Sequence, residues 1–273
     1  MRRSYSFSFS RAINRRFLCA RHPATSALVC IGIARKTDLP DRSRRVRKEL
    51  ILNRATRPSA YVMLSPVTQE ITTVSVEQEL KLTEDTIEEV KKILTGLQLS
   101  GDDWSIIAAG MIHQGIEHHE AIVLLIRNKK IGSAFALTRS VLEILVRGAW
   151  FTCCATPADV TKFRDQDKID LKFGEMCDAI DQSQKIEYFH NQKGNVWKMA
   201  NSYTHTGILQ LGRRWTGDKL AASYKDGEIV EVLRAITIWI LLLVQPYLSK
   251  NKQDEASKKI VALGQRLLPK QNS

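Results

Sequence analysis

The sequence predicts an all-α protein: a single helical bundle behind a disordered basic N-terminal extension. Three observations carry this prediction. From about residue 76 apolar residues recur at helical intervals almost to the end of the chain. Strand signals, meaning alternating β-branched runs bounded by turns, are nearly absent beyond Ile71 to Val76. The charge surplus, finally, lies entirely in one tail. Residues 1–62 carry 15 Lys/Arg against 3 Asp/Glu, while residues 63–273 carry 26 against 26. The net charge of +12 therefore says nothing about nucleic-acid binding by the part that folds. We divide the chain into an extension (1–62), a linker (63–80), a bundle domain (81–268) and a short tail (269–273). About 200 residues suffice to bury one sizeable core.

The extension contains the runs MRRSYSFSFSRAINRRF and DRSRRVRKEL and has no sustained periodicity. A translation start placed upstream of Met63, a targeting peptide and a basic arm for nucleic acid all fit it. Its apolar run, Ala24 to Ala34, follows a long polar lead, which argues against secretion.

The bundle elements follow in order. Val76 to Leu97 mixes charges with apolar residues at helical intervals, as a surface helix does. Ser100, Asp102 and Asp103 offer caps for a second helix reaching about Lys129. Ile131 to Ala155 is apolar on most of its circumference and is the predicted central helix. Thr156 and Pro157 are a cap and first-turn pair for a short helix through Phe163. A further short helix covers Leu171 to Asp181, and another runs from Asn195 to Thr206, ended by Gly207. Asp226 caps a long helix, Glu228 to Leu248, and Ala256 to Leu267 forms the last.

Composition and motifs narrow the function classes. Cys153, Cys154 and Cys177 include no C-x-x-C and stand in apolar or helical surroundings, so they predict reduced thiols in a cytoplasmic protein. The longest apolar stretch, Ala235 to Val244, is too short to span a membrane and is closed by Gln245 and Pro246. No phosphate-binding loop, dinucleotide glycine pattern, nucleophile elbow or H-E-x-x-H is present, so no nucleotide cofactor and no metal is expected. A di-iron bundle needs two Glu-x-x-His pairs, and only Glu187 to His190 fits, in a segment near a predicted loop.

Three constellations could carry chemistry. On the second helix, Ala109, Ile112, Ile116, His119, Val123 and Ile126 form an apolar seam, in which His119 reads as a hydrogen-bonded core residue. Beside it His113, Glu117, Glu120, Leu124 and Arg127 form a mostly polar seam, in which His113, Glu117 and Glu120 could coordinate a metal or position a base, or simply face water. On the central helix Arg139, Glu143 and Arg147 recur every four residues and span about 80° of the circumference. A stripe that narrow is either an internal ion-pair network or a pair of forked donors turned toward an anion. Third, Lys198, Asn201 and His205 share a face near a helix end, where a neutral imidazole can act as general acid/base or interact with the helix dipole; Tyr203 is near but on another face.

The run from His113 to Phe151 together with NSYTHTGILQLGRR resembles a group of uncharacterised bacterial helical proteins. Their shared pattern is an Arg-x3-Glu helix (Arg139, Glu143) followed by Tyr-x-His (Tyr203, His205), over roughly residues 105–215. More distantly, Asn-x3-His (Asn201, His205) is similar to the second half of the Arg-Asn-x3-His motif of the HEPN superfamily. Those proteins are small helical bundles, often dimeric, and many are metal-independent ribonucleases. The resemblance implies RNA as partner, a homodimer, His205 as general acid/base, Asn201 beside it and an arginine on phosphate. The chain departs from the motif at Ala200, where that motif has Arg, and Lys198 lacks the planar fork. Arg139 or Arg147 would have to supply the guanidinium from another helix.

Two readings of different class follow. In one, the bundle binds or cleaves RNA, with His205, Asn201 and Arg139 as catalytic residues and Arg147, Glu143, Glu117, Glu120, His113 and Tyr203 as binding residues. In the other, the protein is a non-catalytic association module and the same residues form a structural polar network.

Overall fold

A computed structural model of the chain describes residues 74–267, except 99 and 217 and the side chain of Asn195. The extension over 1–62 and the tail 269–273 lie outside the described residues. The helix α1 starts at Val76, inside the stretch 63–80 read as a linker, so the end of the Ile71 to Val76 alternation is helical.

The described residues form an all-α bundle of ten helices with one two-stranded hairpin, as the sequence predicts. The helices are α1 (Val76–Leu94), α2 (Asp103–Arg127), α3 (Ile131–Cys153), α4 (Pro157–Gln166), α5 (Phe173–Gln184), α6 (Tyr188–Asn191), α7 (Trp197–Thr204), α8 (Ile208–Gly212), α9 (Asp226–Lys250) and α10 (Asp254–Leu267). Strands β1 (Trp215–Thr216) and β2 (Lys219–Leu220) pair antiparallel between α8 and α9.

Local chemistry sets the starts of these helices. Ser75 and Gln78 close a capping box on α1, and Asp102 accepts from the Ser105 N–H at 2.9 Å to cap α2. Thr156 caps α4 with Pro157 in its first turn. The cap of α9 is Lys225 rather than Asp226; the Glu228 carboxylate accepts the Lys225 N–H at 3.1 Å, which leaves Asp226 as the first helical residue. The expected helix from Asn195 to Thr206 is present as the shorter α7, Trp197–Thr204. A π turn at Gln192–Val196, with Gly194 at ψ −108°, leads from α6 into the shorter α7. Buried Asp181 fixes that entry by accepting the N–H groups of Phe189 (3.0 Å) and His190 (2.6 Å), so Tyr188–Asn191 forms a helical turn, with Glu187 at its N-cap, in the segment read as lying near a loop.

Two helices make the core. The central α3 packs against α2 and α9 on one side and α5 and α7 on the other; α9 in turn carries α1, α2 and α10. Gly148 permits the close approach of α3 and α9, since a side-chain carbon there would drive into Leu243. The α2 seam is inward, with Ile112, His119, Val123 and Ile126 buried, and the polar seam beside it is exposed.

His119 is fully buried with Nε2 3.1 Å from Thr237 Oγ1. The Thr237 hydroxyl donates to the Leu233 carbonyl at 2.8 Å, so the imidazole Nε2–H donates to Thr237 and the ring is neutral. Burial lowers its pKa from 6.5 to about 3. Above pH 6.5 the ring is neutral in both states; below it the unfolded chain takes up a proton that the folded chain refuses. Stability should therefore fall by about 1.4 kcal/mol per pH unit as pH drops from ~6.5 toward ~3. Urea midpoints at pH 7 and pH 5 check this: the parent should lose ~2 kcal/mol more than a His119→Leu variant. Equal losses in the two proteins would refute it.

Candidate functional site

The polar stripe of α3 lies where α7 crosses that helix. Ala200 and Tyr203 of α7 are buried, and the Thr204 hydroxyl donates to the Ala136 carbonyl of α3 at 3.0 Å. This docking brings the C-terminal end of α7 over the second turn of α3.

Arg139 stands at the centre. Its Nε and Nη2 donate to Glu143 Oε1 at 3.2 and 2.9 Å, one helical turn along α3. Its Nη1 contacts His205 Nε2, and the guanidinium carbon sits 4.9 Å from the centre of the Trp197 ring. Trp197 in turn stacks on Phe173 of α5, with ring centres 3.8 Å apart and planes at 15°. The cluster is reached from solvent, since the Arg139 and Glu143 side chains are 22% and 30% exposed. A guanidinium can only donate, so in this contact Nε2 is the acceptor.

His205 is the residue that ends α7. Its N–H donates to the Asn201 carbonyl at 2.9 Å, and the Gly207 N–H donates to Ser202 O at 2.7 Å across the left-handed Thr206 (φ 54°). Gly207 is thus needed for close approach: a side-chain carbon there would lie 2.9 Å from Ser202 Cα and 3.0 Å from its carbonyl oxygen. The left-handed position falls on a β-branched residue, which costs about 1–2 kcal/mol. Thr206→Gly should accordingly raise stability by ~0.5–1 kcal/mol after the added freedom of the unfolded chain is subtracted. A urea midpoint that fell would contradict this.

The other candidates divide. The Asn201 side-chain amide, half-buried and one turn from His205, has no hydrogen-bond partner among the described residues. Arg147 is exposed and has no carboxylate partner among the described residues, so Glu143 pairs with one arginine of the stripe. Tyr203 points into the core, edge-on to Phe135 at 5.1 Å, and hydrogen-bonds Arg213, which pairs with Glu228. His113, Glu117 and Glu120 lie on the exposed face of α2, where Glu120 accepts from Lys91 at 2.8 Å. Among the described residues no group of three or more His, Cys, Asp or Glu could hold a metal ion. Cys153, Cys154 and Cys177 are free, and burial pushes the Cys153 thiol up to about 11 and Cys177 up to about 12, which makes them poor nucleophiles.

The model of a family of unknown function, DUF6988, matches residues 112–266. The chain belongs to that family. The DUF6988 match takes in the whole Arg139, Glu143, Asn201 and His205 cluster, and also Trp197 and Phe173, while α1 precedes it. No curated protein and no solved structure matches the chain.

The sequence reading missed Trp197 and Phe173. For Trp197 a signal was available: it stands four residues before Asn201 and eight before His205, on their stripe of α7. Phe173 had none, because its role depends on how α5 meets α7.

Proposed function

We propose that the Arg139–His205 pair forms a metal-independent, HEPN-like site for RNA cleavage in a cytoplasmic protein. The contact between Arg139 Nη1 and His205 Nε2, made from separate helices, is the observation that supports it. It supplies in space the guanidinium that Ala200 fails to supply in sequence. Nη1 is the terminal donor that Glu143 leaves to another acceptor, so an incoming phosphate oxygen competes with His205 for it.

When phosphate takes Nη1, the Nε2 lone pair is released in the form a general base requires. The ribose 2′-hydroxyl gives its proton to Nε2 and the 2′-oxygen bonds to phosphorus. The bond to the 5′-oxygen then breaks, and that oxygen receives the proton. The products are a 2′,3′-cyclic phosphate and a free 5′-hydroxyl. Glu143 and the Trp197 face hold the guanidinium in plane, and the free Asn201 amide is within one turn to orient the phosphate.

The test is cleavage of single-stranded RNA by the full-length protein in the presence of a chelator. Cyclic-phosphate ends are expected, with the rate lowered by about 10²–10⁴ in a folded His205→Ala variant, the usual contribution of a general acid/base. Intact RNA with the parent protein would sink the proposal. It would favour the second reading, a non-catalytic association module, which draws on the satisfaction of Arg139 by Glu143, His205 and Trp197 within the chain itself.

A further inference from the structure

Beyond the α3–α7 cluster, α8 and the hairpin concentrate exposed apolar side chains. Ile208, Leu211, Trp215 and Leu220 are all exposed, Leu220 by 74%. Ile208 and Leu211 are three apart on α8 and share a face. Trp215 and Leu220 are cross-strand partners and share a face of the hairpin. Elsewhere among the described residues exposed large apolar side chains occur singly along the chain, and Trp215 is the exposed aromatic among them. Cations surround this segment. Arg214 and Lys219 flank it, and the Arg214 guanidinium lies against Gly132 in the first turn of α3, beside Lys129 and Lys130. All four are exposed, and none has a carboxylate partner among the described residues, whereas Arg127, Arg164 and Arg266 do. Asp218 is the one acidic residue between 207 and 225.

We propose that this end of the bundle docks on an anionic phospholipid surface. Trp215 and Leu220 enter the headgroup–acyl boundary, Ile208 and Leu211 follow from α8, and Arg214, Lys219, Lys129 and Lys130 meet the phosphates. Charge and side-chain type select this occupant. A second copy across a two-fold axis would set the same cations against each other. A single-stranded nucleic acid would use Trp215 and the cations but leave three aliphatic side chains in water. An anionic bilayer accepts both sets.

The full-length protein is mixed with vesicles of phosphatidylcholine and phosphatidylglycerol, roughly 7:3, a composition that supplies the anionic surface potential, with the phosphatidylcholine chains brominated. The difference in emission between the parent and Trp215→Phe isolates Trp215 and ignores docking through residues 1–62, which contain no tryptophan. Trp215 emission should shift to the blue and be quenched, less so at high salt and not on phosphatidylcholine alone. Arg214→Ala and Lys219→Ala should each raise the lipid concentration for half-quenching about fivefold. Unquenched Trp215 emission on vesicle-bound protein would overturn the proposal. So would Trp215 quenching by oligouridylate in place of brominated lipid, which would assign the face to nucleic acid.

Discussion

Glu79→Leu is expected to cost about 3–5 kcal/mol of folding stability, the penalty for leaving a buried charge without its partner. Glu79 is 1% exposed and Arg234 9%, and their forks meet face to face at 3.2 Å (Nε to Oε1) and 2.6 Å (Nη2 to Oε2). The pair ties α1 to α9, and removing the carboxylate strands a guanidinium inside the bundle. Replacing both residues by apolar ones, Glu79→Met with Arg234→Leu, should recover most of the loss, because the desolvation of two ions is then avoided. Alanine at Asp103, whose partner Arg164 sits at the surface, should cost under about 1 kcal/mol by comparison. Urea unfolding of the four proteins decides the matter. A Glu79→Leu loss no larger than that of Asp103→Ala would contradict the assignment.

Arg139→Lys should lower RNA cleavage by roughly 10²-fold while changing stability by less than about 1 kcal/mol. The ammonium keeps the charge, so a purely electrostatic role for Arg139 predicts little change. It cannot donate two bonds to Glu143, lie over Trp197 and present a third donor at His205 together. The partial exposure of Arg139 and Glu143 limits what their pairing contributes to folding. A rate that fell in step with a collapse in stability would assign Arg139 to the structural network.

What could be read before folding was what is local in the chain. The caps Asp102 and Thr156, the inward seam with His119 in it, and the apolar circumference of α3 all depend on residues within a turn or two. The Arg139–Glu143 pair is likewise four residues apart. The Arg139–His205 contact joins residues 66 apart and Glu79–Arg234 residues 155 apart, and periodicity holds no information about either. The segment from Tyr188 to Leu220 was hardest to read. Gly194 at ψ −108° stands just ahead of one expected helix, whose first residues fall in a π turn, and Asp181, eight residues before Phe189, fixes where α6 starts. Gly207 was identified as the end of α7, yet the left-handed residue is Thr206, because the glycine answers to the proximity of Ser202.

The most direct test of the Arg139–His205 pair is a double-mutant cycle on metal-free RNA cleavage, using parent, Arg139→Ala, His205→Ala and the double variant, each checked for folding. If the two residues act as a unit, each single variant loses about as much rate as the double, as is typical of coupled catalytic groups. Losses that simply add, or single variants that cleave at the parental rate, would show that the contact between α3 and α7 is architecture alone.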